Sequence, residues 1–249
     1  MSDSVEKQLY FAAGYNRASE VSSILRDNPN FNVNQAHDEN KWTSLHNASL
    51  NGHVEVVKLL LAHPNIDVNL KCSNGQTPFS FGCEEGQVSV VEVLLKDPRV
   101  NVILDDDNGC PPQWSAAYPG RLAVIEWLIA SGRDLGDIKN KKGKDPDGSE
   151  YSALEIARRE NKTEVVSELE RFIANPEQTR QEIRRKLNVT GKTSFSFPFL
   201  VCTQFDFVSF FIFTAVTYPT LQFDAPVVDP PCESPRGHQV EAGCSQRQS

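Results

Sequence analysis

The feature that most constrains the fold of this chain is that it repeats itself. Shifted by 34 residues, it lays Thr43 on Thr77, Leu45 on Phe79, Gly52 on Gly86 and Val54 on Val88. A second shift of 34 lays Gly75 on Gly109, Pro78 on Pro112, Gly86 on Gly120 and Val88 on Leu122. A weaker copy comes first, with VSSILRDNPNFNVN (21–34) matching VVKLLLAHPNIDVN (56–69) at a spacing of 35. A last copy, YSALEIARRENKTEVVSEL (151–169), follows a longer connection over 139–148 rich in Lys, Gly and Asp. Five units at a near-constant period imply stacked supersecondary elements, each covering its neighbour's apolar flank, rather than one central core.

The residues within a unit dictate its local structure. Thr77-Pro78 supplies an N-cap hydroxyl and then a proline at the first helical position, where its missing N–H costs nothing. Gly86 suits the left-handed conformation at a helix end. VSVVEVLLKD (88–97) then spaces Val88, Val91, Val93, Leu94 and Leu95 for a second helix with a wide apolar face. The Asn74-Gly75-Gln76 triplet before Thr77 reads as a tight turn, so the unit is turn, helix, helix.

Three histidines in the stretch 43–69 raise the question of chemistry. His46 is replaced by Ser80, Trp114 and Glu155 in the other units, and His53 by Gln87, Arg121 and Lys162. A metal or general-base site needs partners at fixed spacing, and no HExxH or paired-carboxylate pattern surrounds these positions. No glycine-rich phosphate loop or nucleophile elbow occurs either, so the expectation is a non-enzymatic protein without cofactor or metal.

TSLHNASLNGHVEVVKLLL (43–61), NGQTPFSFGCEEGQVSVVEVLL (74–95) and the links IDVN and VNVI resemble the ankyrin repeat over about 1–174. The resemblance implies an all-α solenoid of L-shaped helix pairs with projecting β-turn fingers, and protein binding rather than catalysis. It implies a backbone-bonding role for His46 near the turn. It also implies a binding surface on the finger tips and the concave side of the first helices. Carried across by position, that surface comprises Glu39, Asn40, Trp42, Leu50 and Asn51, then Ser73, Asn74, Gln76, Glu84 and Glu85, then Asp107, Asn108, Cys110 and Tyr118. Trp42 and Tyr118 are the expected anchors, because large amphipathic rings dominate interface energies.

The expected organisation is a capping repeat (1–35), repeats at 36–70 and 71–104, an irregular repeat with an insertion (105–146), a last repeat (147–174), a basic amphipathic helix (175–190) and an unrelated tail (191–249). The first unit has Arg17 where later units have glycine, with Ser19, Ser22 and Ser23 suiting an outward-facing cap. In the fourth, Pro111-Pro112 and Pro119 predict a shortened first helix, and Gln113 stands in the apolar slot of Phe79. The basic helix, with Ile183 and Leu187 four apart among Arg180, Arg184, Arg185 and Lys186, is either a C-terminal cap or a dock for acidic protein or lipid.

Charge narrows the partners. Residues 1–174 hold 26 acids and 18 bases, a balance of 18 − 26 = −8, while 175–249 hold seven of each. An acidic body disfavours nucleic acid and favours a partner with a basic segment. Cysteines at 72, 83, 110, 202, 232 and 244 form no CxxC pair, which predicts reduced thiols in a cytoplasmic or nuclear protein; the resemblance implies a monomer acting as scaffold or adaptor. MSDSVEKQLY lacks the basic and apolar regions of a secretory signal. KNKKGK (139–144) reads as a solvated loop.

The tail departs abruptly in composition. Residues 195–216 carry eight of the fourteen phenylalanines. They are long enough to span a bilayer, yet Gln204 and Asp206 fall mid-span. Three readings stand: a membrane anchor that would make the chain a tethered adaptor, a flap packed on the repeats, or a translated retained intron. The last rests on codons for Gly191-Lys192 that can form a splice donor and those for Leu221-Gln222 an acceptor. Residues 223–249, rich in Pro, Gly, Ser and Gln, read as disordered.

Overall fold

The computed structural model describes residues 4–37 and 39–189. Its helices come in pairs: α1 (Val5–Gly14) and α2 (Ala18–Asp27), α3 (Ser44–Leu50) and α4 (Val54–Leu61), α5 (Pro78–Glu85) and α6 (Val88–Lys96). Then follow α7 (Pro112–Ala117) and α8 (Leu122–Ser131), and α9 (Ala153–Arg159) and α10 (Thr163–Ala174), with α11 (Pro176–Lys186) last. First helices touch in the order α1, α3, α5, α7, α9, and second helices in the order α2, α4, α6, α8, α10, so two layers stack side by side. The core runs between them, with Leu9, Leu45, Phe79, Val57, Val91, Ile125 and Ile156 almost wholly buried. Each such side chain contributes about 1.5–3 kcal/mol by leaving water.

The caps foreseen in the sequence are made. The Thr43, Thr77 and Ser152 hydroxyls accept from the N–H groups of His46, Ser80 and Glu155. In the fourth unit Pro111 holds that slot and offers no side-chain cap, and α7 has only six residues. The left-handed position between paired helices is held by Gly52, Gly86 and Gly120 and, at the two ends, by Asn16 and Asn161. This corrects the expected register of the first unit. Asn16, not Arg17, occupies the glycine slot, and Arg17 is the N-cap position of α2, as His53 is of α4. The ten-residue α2 absorbs the offset, two residues longer than α4.

Neighbouring units are stapled at three levels. At the helix ends, His53 Nε2 bonds the Gly14 carbonyl at 2.9 Å, and Gln87 and Arg121 donate to Leu50 and Glu84 carbonyls at the same distance. This one slot therefore selects a long hydrogen-bonding side chain rather than an imidazole. In the links, Asn34 donates to the Asn65 carbonyl and accepts from the Asp67 N–H, and Asn69 does the same with Arg99 and Asn101. Under the second helices, Arg99 reaches the Leu61 carbonyl, and Arg133 those of Asp97 and Val100.

Helix α11 continues that third series. Arg180 and Arg184 donate to the Ile129 and Ala130 carbonyls at the end of α8, at 3.2 and 2.7 Å. Lys186 pairs with the buried Glu126 at 2.5 Å, and Ile183 is 3% exposed. The helix is a C-terminal cap whose arginines satisfy the carbonyls that Arg99 and Arg133 satisfy earlier.

The connection over 139–148 is more ordered than a solvated loop. Strands β1 (Lys142–Lys144) and β2 (Glu150–Ser152) pair antiparallel, with Gly143 opposite Tyr151. The intervening Pro146-Asp147-Gly148 is a turn-forming sequence that a compositional reading passes over. The Phe-rich stretch 195–216 and the rest of the tail lie outside the described residues. Among the described residues no helix is long and apolar enough to cross a membrane.

One packing imperfection gives a test. Ser49 is fully buried in the slot that holds Ala13, Cys83 and Ala117, and its hydroxyl has no hydrogen-bond partner. Ser49→Ala should raise unfolding free energy by about 1 kcal/mol, read as a higher urea midpoint. A lower midpoint would mean that the hydroxyl is satisfied in solution.

Candidate protein-binding surface

The turns that precede the first helices are tied to one another by backbone bonds. Ser73 N–H donates to the Asn40 carbonyl at 2.8 Å, Asp107 to Asn74 at 3.0 Å, and Lys144 to Asn108 at 3.0 Å. The tips are thus a continuous rail rather than independent loops. Glu39, Asn40, Ser73, Asn74, Asp107 and Asn108 are exposed along it, as are Asn51 and Glu85 on the helices beneath. Trp42, Leu50, Glu84 and Tyr118 are half-buried at the junction of tips and helices.

Two of the expected surface residues face inward. Gln76 is 8% exposed and Cys110 2%. They share the repeat slot of Trp42, and small or polar occupants of that slot fold under the tip instead of covering the next helix. Cys110 donates to the Lys144 carbonyl, tying the fourth tip to the hairpin. Burial, aided by the Asp106 carboxylate, pushes its thiol up to about 12. Burial also raises the Cys72 and Cys83 thiols, so none of these three buried free cysteines is a nucleophile at neutral pH.

Gln76 is the centre of a polar relay. Asn74 donates to Gln76 Oε1 at 2.8 Å, and Gln76 Nε2 donates to Glu84 Oε2 at 2.5 Å. Asn74 Oδ1 closes the turn by accepting from the Gln76 N–H and the Cys72 thiol. In the tip before Cys110, Asp106 accepts from the N–H groups of Asn108 and Cys110, while burial raises its carboxyl above the usual range.

Aromatic rings line the same surface. Trp42 meets Phe81 of the next unit edge-on with centroids 5.0 Å apart, and His46 meets Phe81 at 5.8 Å. Tyr118 stacks on Trp114 at 5.4 Å, whose indole N–H donates to the Tyr151 carbonyl. Sequence reasoning missed Tyr10, Phe11, Tyr15 and His37, which form a ladder at the first unit. His37 stacks on Tyr10 at 4.2 Å, Phe11 lies 5.0 Å from His37, and Tyr15 lies 6.3 Å from Phe11. Tyr15 shares the slot of Asn51 and Glu85, a relation hidden by the one-residue register error at Arg17. Tyr15 and Phe11 are 66% and 36% exposed, large values for aromatic side chains.

The three histidines of 43–69 bond the backbone. His46 is fully buried, its Nδ1 accepting from the Thr43 N–H at 3.2 Å and its Nε2 facing the Gln76 carbonyl at 3.3 Å. Nδ1 as acceptor fixes the neutral tautomer with the proton on Nε2. His63 Nδ1 accepts from the Asn65 N–H. No group of three or more His, Cys, Asp or Glu that could hold a metal occurs among the described residues.

Comparison with known proteins agrees with the architecture. Residues 9–103 match the family model for ankyrin repeats, in three copies. The matched span stops short of the five helix pairs, at the unit where Pro111, Pro112 and Gln113 break the pattern. No curated protein matches the chain.

Proposed function

Because residues 9–103 match the family model for ankyrin repeats, we propose that this chain is a scaffold or adaptor that binds another protein along its tip rail and first helices. Ankyrin repeats are generally protein-interaction modules without catalytic activity. The observation that supports the reading is that Trp42 and Tyr118 lie half-buried at the tips and first helices, with Glu39, Glu84, Glu85 and Asp107 on the same units and the exposed rings of Phe11 and Tyr15 at the first helix. Partly exposed rings on a rigid frame are energetically efficient anchors. Exposed carboxylates beside them favour a basic partner segment and speed its encounter. Gln76 and Cys110 support the tips from beneath, and the contacts belong to the other twelve positions named from the repeat pattern. Three buried free thiols fit a reducing compartment, the cytoplasm being the simplest.

Trp42→Ala should weaken the partner at least about tenfold, or about 1.4 kcal/mol. Because Trp42 packs on Phe81, some loss of unfolding free energy accompanies it, so affinity is measured by calorimetry well below the melting transition. An affinity unchanged from wild type removes Trp42 as an anchor.

A further inference from the structure

We propose that Trp42, Phe81 and Glu84 form a subsite for one arginine side chain of the partner. The inference rests on the tip rail being the binding surface and specifies the chemistry at its centre. Phe81 and Glu84 are three residues apart on α5 and lie on the same helix face, with Glu85 next in line. Trp42, from the preceding unit, meets Phe81 edge-on at 5.0 Å; Phe81 is itself buried, so the half-exposed Trp42 ring is the aromatic surface offered beside the helix face that carries Glu84.

Glu84 is held in place by a neutral donor. Gln76 Nε2 takes its Oε2 at 2.5 Å, and Gln76 is itself fixed by Asn74. An amide that orients a carboxylate leaves its charge uncompensated, unlike an ion pair. Among the described residues no ion pair of this chain reaches Glu84. Arg121 is already committed: it gives its Nε to the Glu84 backbone carbonyl and approaches Glu85 only to 4.0 Å. The other acids on the rail are differently placed. Asp105 pairs with Lys141 at 2.5 Å, and Asp106 accepts two backbone N–H groups.

The Glu84 carboxylate is therefore pre-oriented, without an ion-pair partner among the described residues, on the helix face that Phe81 shares and that the Trp42 ring borders. Arginine fits that pair better than lysine. Its planar guanidinium stacks on an indole while its edge donates to a carboxylate, and it sheds water more readily than an ammonium.

The test uses the full chain and two probes, acetyl-arginine amide and acetyl-lysine amide, followed by NMR. The arginine probe should shift the Trp42 indole N–H and the Gln76 side-chain amide, and should bind several-fold tighter than the lysine probe. Glu84→Gln, which keeps an acceptor for Gln76, should weaken it about tenfold. Glu92→Gln, on the second-helix layer, should leave it unchanged. Absent shifts at Trp42 and Gln76, equal affinity for the two probes, or equal sensitivity to Glu84→Gln and Glu92→Gln would each overturn the subsite. If the probe fails while partner affinity still depends on Trp42, the subsite is wrong and the rail stands. If partner affinity ignores both Trp42 and Tyr118, the rail itself is wrong.

Discussion

Replacing Arg159 with methionine is expected to cost about 2–3 kcal/mol of unfolding free energy. Arg159 is the clasp of the hairpin. Its guanidinium bonds Asp145 Oδ2 with one nitrogen and Asp147 Oδ2 with another at 2.9 Å, and it lies 5.0 Å from the Tyr151 ring centroid. The Asp145 side chain is only 2% exposed, and its Oδ1 is taken by the N–H groups of Asp147 and Ser149. Removing the arginine leaves a buried carboxylate with no countercharge, a penalty of about 3–5 kcal/mol for a fully buried pair. The 38% exposure of Arg159 lowers that figure by letting water reach the site. Adding Asp145→Asn, which keeps the Oδ1 acceptor, should restore more than half of the loss. Urea unfolding of the single and double variants measures both, and an additive second loss would refute the clasp.

The second large effect is acid destabilisation through His46. Burial lowers its pKa from 6.5 to about 4, against smaller opposing contributions from the Gln76 and Leu70 backbone. The folded state thus refuses a proton that the unfolded chain accepts. Stability from this group is complete above about pH 6.5 and is lost as pH falls toward 4, by about 3 kcal/mol over that window. The lowered carboxylates Asp97, Asp137, Glu155, Glu177 and Glu182 have the same sign of dependence, but theirs is lost around and below the ordinary carboxylate range. His46→Ser separates the two. Serine already fills this slot at Ser80, where it bonds the Thr77 hydroxyl at 3.1 Å. The variant should be less stable than wild type at pH 7.5 and should lose much of the slope between pH 6.5 and 4. A wild-type slope retained in the variant would assign the acid sensitivity elsewhere.

These two residues also mark what the sequence could and could not reveal. The period, the Thr77-Pro78 cap and the glycine slots are local, so helix pairing, the short α7 and the structural character of His46 were legible. Arg159 was not, because its value comes from a hairpin fourteen residues away, formed by a Pro-Asp-Gly turn inside what looked like a charged loop. The cap role of α11 was only half legible. Ile183 and Leu187 announced a packed face, but the carbonyls that Arg180 and Arg184 satisfy belong to α8. On the proposed binding surface, exposure followed repeat position except at Gln76 and Cys110, where a smaller occupant of the Trp42 slot turned under the tip. The aromatic ladder of Tyr10, Phe11, Tyr15 and His37 was hidden by a register shift of one residue.

The most direct test of the account is a quantitative comparison of the proteins bound by three full-length forms of the chain. One is wild type, one carries Trp42→Ala and Tyr118→Ala on the rail, and one carries Glu55→Gln and Glu92→Gln on the second-helix layer. The account predicts a partner held equally by wild type and the second-helix variant and lost by the rail variant, with all three folded by circular dichroism. A partner retained by the rail variant and lost by the second-helix variant would contradict it.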